Sequence, residues 1–153
     1  MRILIAEDEF INRRLLQKYV SHLGECDIAI DGPKALEMVR EAMKGGNHYD
    51  LIFLDIIMPG MDGLDVLKEI REMENKFNIP ESQRAKIIMT TALADRQNVV
   101  RAAFQQCDAY LIKPVKPQEI MKKLKTLGLL KEEEEEEKKE TNEEKKERKD
   151  DNH

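Results

Sequence analysis

The chain has 153 residues, enough for one domain with a real core and too few for two joined by a linker. Charged residues make up 37% of it, but residues 131–153 hold 7 of the 26 Lys and Arg and 12 of the 31 Asp and Glu, so residues 1–130 are formally neutral and the net charge of −5 belongs to the tail. A neutral body with an acidic tail offers no basic face to nucleic acid or an anionic membrane, and no apolar run exceeds four residues, so a cytoplasmic protein with neither partner is expected.

Cys26 and Cys107 form no CxxC pair, and His22, His48 and His153 are scattered, so zinc has no sequence support. Buried or half-buried free thiols are the expectation.

Apolar runs alternate with helical patterns from the first residue, the signature of parallel βαβ units. Ile3-Leu4-Ile5-Ala6 is uninterrupted, as in a central strand covered on both faces. Ile11, Leu15, Tyr19 and Leu23 recur at i+4 and mark one stripe of a helix that Gly24 can end. Cys26 to Ile30 reads as a shorter, edge strand. Asp31-Gly32 turns the chain, and Pro33 suits the start of a second helix whose Leu36, Val39 and Met43 face inward. Leu51-Ile52-Phe53-Leu54 is the next buried strand and runs into Asp55. Pro59-Gly60 and Asp62-Gly63 form a turn before a helix carrying Leu64, Leu67 and Ile70. Asn75 to Ala85, polar and broken by Pro80, reads as a long surface loop. Ile87-Ile88-Met89 is the fourth strand, ending in Thr90-Thr91, and a helix with Val99, Val100, Ala103 and Phe104 follows. The fifth strand, Ala109 to Ile112, ends at Lys113-Pro114, and a last helix runs from about Gln118 to Leu127.

Five βα units with right-handed crossovers make a three-layer, doubly wound α/β sandwich. Ligands of such sheets bind beyond the carboxyl ends of the strands. Those ends carry Glu7-Asp8-Glu9, Asp55, Thr90-Thr91 and Lys113. Carboxylates converging from two strands repel unless a positive charge offsets them, and Mg²⁺, a hard cation with oxygen ligands, suits a shallow open site, with Mn²⁺ as a substitute. A cation beside a lysine and a hydroxyl is equipment for phosphoryl chemistry, in which Asp55 is the natural acceptor, Glu7 and Asp8 hold the metal, and Lys113 and Thr91 meet phosphoryl oxygens.

Together the acidic cluster, Asp55 with Ile56-Ile57-Met58-Pro59-Gly60-Met61-Asp62-Gly63, Thr91-Ala92 and Lys113-Pro114 resemble a response-regulator receiver domain, close in pattern to the single-domain chemotaxis regulator. The resemblance covers residues 1–127 and implies a flavodoxin-like sheet of order 2-1-3-4-5. It implies Mg²⁺ at Glu7, Asp8, Asp55 and the backbone carbonyl of Ile57, and phosphorylation of Asp55 by a sensor histidine kinase or a histidine phosphotransfer protein. It also implies a cis peptide before Pro114, and a switch in which Thr91 and Tyr110 alter the face formed by the helix after strand four, strand five and the last helix, for a downstream protein. Such a chain is a signalling phosphoacceptor rather than an enzyme, monomeric or dimerising on phosphorylation.

Ile57 and Leu93 stand where the chemotaxis regulator carries polar residues. Neither can orient a hydrolytic water, so a long-lived phosphoryl group is expected. The expected organisation is a receiver over 1–128 and a highly charged, disordered tail over 129–153. Output through protein contacts as a stand-alone regulator is the leading expectation, with a phosphorelay intermediate or a phosphate-independent pseudo-receiver as alternatives. A flavodoxin would need a phosphate loop where Glu7-Asp8-Glu9 stands, and an Asp-nucleophile phosphatase a second acid where Ile57 stands.

Overall fold

The computed structural model describes residues 1–92 and 106–130. Five parallel strands, β1 (Arg2–Ala6), β2 (Glu25–Ala29), β3 (Leu51–Asp55), β4 (Lys86–Thr91) and β5 (Ala109–Ile112), form one sheet in the order β2-β1-β3-β4-β5. The described helices are α1 (Phe10–Val20), α2 (Gly32–Lys44), α3 (Gly63–Lys76) and α4 (Pro117–Thr126). This is the flavodoxin-like α/β architecture, and none of these helices is long and apolar enough to cross a membrane.

The alternation of side chains along each strand sorts the core. Leu4, Ala6, Ile52, Leu54, Ile87 and Met89 pack with Leu36 and Val39 of α2 and Leu67 and Ile70 of α3 on one face. Ile3, Ile5, Leu51, Phe53 and Ile88, also fully buried, point to the other. Both faces are covered because the interior strands are apolar at successive positions through their middles, from Ile3 to Ala6, Leu51 to Leu54 and Ile87 to Met89. Asp31 caps α2 by accepting from the Lys34 N–H, and Asp62 caps α3 by accepting from the Leu64 N–H. Met1–Pro117 form one compact unit and Gln118–His153 a second. α4 begins at their boundary and buries Ile120 and Leu124.

Two expectations are corrected. The Ile11/Leu15/Tyr19 stripe is not the inner face of α1: Leu16 and Val20 are buried, whereas Ile11 is 63% exposed and Leu15 38%. Leu16 and Val20 share the same four-residue spacing, and docking turns their stripe rather than the neighbouring one toward β1 and β2. The helix also ends at Val20, and a 3₁₀ turn, Ser21–Leu23, precedes Gly24. Nor is 75–85 simply a surface loop. α3 continues to Lys76, a 3₁₀ turn spans Glu81–Gln83, and Ile79 and Ala85 are buried. Arg84 pins the segment by donating to the Ile79 carbonyl and to Asn75 Oδ1. The helix expected around Val99 to Phe104, Leu93 and the tail 131–153 lie outside the described residues.

Candidate functional site

Arg71, on the inner side of α3, anchors the amino end of the sheet. It donates to Glu74 Oε1 at 2.7 Å, to Asp108 Oδ2 at 2.8 Å and to the carbonyls of Ala85 and Gln106, tying α3 to the entries of β4 and β5. The opposite, carboxyl edge carries the reactive side chains. Where β1 runs out of its pairing, Glu7 and Asp8 begin the turn into α1, and Arg13 reaches back from α1 to donate to the backbone carbonyls of both. β3 delivers Asp55 at its last position.

The turn after Asp55 folds back on itself, with the Gly63 N–H donating to the Ile56 carbonyl at 2.7 Å. A Cβ on Gly63 would lie 2.1 Å from the Asp55 carbonyl oxygen, so only glycine permits this return. The returning turn leaves Ile57 63% exposed, and its N–H donates to Asp55 Oδ1 at 3.3 Å.

One carboxylate oxygen from each of Glu7, Asp8 and Asp55 lies within 4.8 Å of the other two. Glu7 is wholly buried and Asp55 4% exposed, while Asp8 is open to solvent. Lys113, just past β5, spans the gap: its Nζ donates to Glu7 Oε1 at 3.1 Å, Glu7 Oε2 at 3.2 Å and Asp55 Oδ2 at 3.0 Å. Burial first, then the hydrogen bond and charge of Asp55, push the Glu7 carboxyl up to about 7, with Lys113 opposing. For Lys113 burial works to lower the ammonium, but Asp55 and Glu7 outweigh it and hold it above the ordinary lysine range. Two buried acids thus share one cation. The donor set is all oxygen and one charge short of neutral without counting Asp8, the condition in which a hard divalent ion binds.

The Lys113–Pro114 peptide bond is cis. Thr91 is buried at the end of β4, its hydroxyl donating to the Ala92 carbonyl at 3.2 Å. Tyr110 lies on β5 opposite Met89, 40% exposed. Glu7, Asp8, Asp55 and Lys113 are therefore brought together directly, with Thr91 on the adjoining strand end and Tyr110 apart from the acids along β5. Both cysteines are half-buried free thiols, and burial raises each above the ordinary thiol range. Arg13 was not singled out from the sequence, since nothing in its local pattern separates it from Arg14; only the path of the β1–α1 turn shows which of them meets the acidic loop.

A doubly wound sheet of order 2-1-3-4-5 with three acids and a lysine at its carboxyl edge has the architecture of a signalling receiver. The model of the response regulator receiver domain matches residues 3–125, and the chain belongs to that family. It is 37% identical over 128 residues to hybrid signal transduction histidine kinase L of Dictyostelium discoideum, covering 83% of this chain and 7% of that protein. Among solved structures, it resembles the receiver domain of the sensor histidine kinase PA1611 of Pseudomonas aeruginosa, which has a magnesium ion in its active-site cleft (30% identity, TM-score 0.66, 83% and 97% of the two chains). It also resembles a chain in the complex of the Saccharomyces cerevisiae phosphotransfer protein Ypd1 with the receiver domain of Ssk1 (27% identity, TM-score 0.67, 80% and 85%). The chain spans less than half the length of the curated relatives it matches.

Proposed function

We propose that this receiver takes a phosphoryl group onto Asp55 from a phosphohistidine on a sensor kinase or a phosphotransfer protein. An Asp55 carboxylate oxygen attacks phosphorus as the P–N bond breaks; the imidazole leaves with that electron pair and takes up a proton. Glu7, Asp8, Asp55 and the Ile57 carbonyl would hold Mg²⁺, which supplies neutralisation of the phosphoryl charge. Lys113 turns from Asp55 to a phosphoryl oxygen, and Thr91 rotates its hydroxyl from the Ala92 carbonyl to donate to another. Arg13 keeps the Glu7-Asp8 turn in place.

The observation that carries this reading is the convergence of Glu7, Asp8 and Asp55 at one strand edge, with Lys113 paired to Glu7 and Asp55. Rotation of Thr91, with a change at Tyr110, alters the surface beside β5 that a downstream protein reads. Residues 1–128 constitute the receiver, and the highly charged stretch 129–153 follows it in sequence. The likeness to a hybrid kinase and to a receiver crystallised with a phosphotransfer protein favours a phosphorelay. The apolar Ile57 and Leu93 leave a hydrolytic water without an orienting group, and so lengthen the life of the phosphoryl group.

The test is intact-protein mass after incubation with acetyl phosphate, with and without Mg²⁺, for the wild type and Asp55→Asn. One added phosphoryl group that requires both Mg²⁺ and Asp55 is expected. Absence of any adduct under rapid acid quench would refute the assignment.

A further inference from the structure

Thr90 is a buried polar side chain in β4 that the site does not account for. It is 1% exposed, and its hydroxyl has no hydrogen-bond partner among the described residues. A buried hydroxyl without a partner is destabilising, and Val would fill the same shape at no such penalty. Its position is informative. Thr90 is in register with Asp55 on the adjoining parallel strand, so the two side chains lie on the same side of the sheet. β4 separates β3 from β5, and Lys113, rooted just past β5, reaches Asp55 at the end of β3. Leu111, two residues before Lys113, is the β5 partner of Thr90, so the lysine passes the end of β4 on the side of the sheet to which Thr90 points.

The ammonium has three N–H donors, now spent on Glu7 and Asp55. When Asp55 becomes an acyl phosphate it loses its charge as a partner for Lys113, which must be held in a new position against the phosphoryl oxygens. We propose that Thr90 is a positioning residue for Lys113: its hydroxyl oxygen, idle in the unmodified protein, accepts from the lysine ammonium once Asp55 is phosphorylated. The unmodified state carries an unpaired hydroxyl, and the phosphorylated state satisfies it. This rests on Asp55 being the acceptor.

The experiment compares wild type, Thr90→Val and Thr90→Ser, each also in a Lys113→Ala background. Two quantities are read: the thermal midpoint of the unmodified protein in chelator, and the rate of acetyl phosphate adduct formation in Mg²⁺ by intact mass. Thr90→Val should raise the midpoint by about 3 °C, since it deletes an unpaired buried group. It should slow adduct formation about tenfold, the value of one hydrogen bond to a charged group, while Thr90→Ser stays near wild type. With Lys113→Ala, Thr90→Val should have no further effect on the rate, because the contact it removes is already gone. Equal rates for wild type and Thr90→Val, or an equal slowing by Thr90→Val in the Lys113→Ala background, would overturn the positioning role and leave the acceptor assignment intact. A wild type that forms no adduct would overturn both.

Discussion

Replacing Lys113 by Met tests the electrostatics of the site without presupposing its chemistry. Met keeps most of the aliphatic stem and deletes the ammonium, leaving Glu7, fully buried, and Asp55, 4% exposed, facing each other with no cation between them. In an effective dielectric near 20, each contact at about 3 Å represents roughly 5 kcal/mol of gross attraction, most of it offset by desolvation. Removing one partner of a buried pair costs about 3–5 kcal/mol, because the remaining charge stays buried. Glu7 limits the damage by taking up a proton, since its carboxyl already titrates at about 7 with the lysine in place. The loss in urea unfolding free energy should therefore approach the full range at pH 8 in chelator and shrink at pH 6. Mg²⁺ should stabilise Lys113→Met more than it stabilises the wild type. Asp55→Asn, which leaves the Glu7–Lys113 pair, should lose less than about 1 kcal/mol. A Lys113→Met loss below about 1 kcal/mol at pH 8, or a Mg²⁺ effect no larger than in wild type, would refute the view that this cation neutralises the acids.

Without metal, the Glu7 carboxyl binds its proton more tightly folded, at about 7, than its ordinary 4.5. The folded state then holds more protons between those values, so the Glu7 contribution is full below about 4.5 and is lost as pH rises through 7; Glu7→Gln should abolish that part of the pH slope of the thermal midpoint in chelator, and an unchanged slope would count against it. At the other end of the sheet, Arg71→Met strands Glu74, 1% exposed, and should cost about 3–5 kcal/mol in urea unfolding, with Arg71→Met/Glu74→Leu recovering only part of it because the Ala85 N–H then loses its acceptor. Equal stability of Arg71→Met and wild type would show the network to be idle. The phosphoryl group on Asp55 should last minutes or longer in Mg²⁺ by timed intact mass, and Ile57→Asn should shorten its life several-fold; a wild-type half-life of seconds would contradict the role given to Ile57.

Much of this molecule is legible in the chain itself. Ile3 to Ala6 and Leu51 to Leu54 announce buried parallel strands because both faces must be apolar, and such strands can end in charge only where they leave the core. That pattern alone places Glu7, Asp8, Asp55 and Lys113 at the sheet's carboxyl edge, and the turn residues around Gly63 fix how the chain leaves Asp55. What local pattern leaves undetermined is orientation and pairing across distance. Tyr19 and Val20 are equally apolar neighbours on α1, and only docking against β1 and β2 selects the Leu16/Val20 stripe for burial. The segment from Asn75 to Ala85 reads as a loop because its polar groups find partners across a turn, as Asn75 and the Ile79 carbonyl do with Arg84. Residues 7, 55 and 113 are remote along the chain, so that one ammonium serves two acids, and that Thr90 stands in register with Asp55 without a partner among the described residues, is decided by strand order and register. The sequence determines which chemistry reaches the edge of the sheet; the tertiary structure decides which groups share a charge there, because burial and distance rather than residue type set that balance.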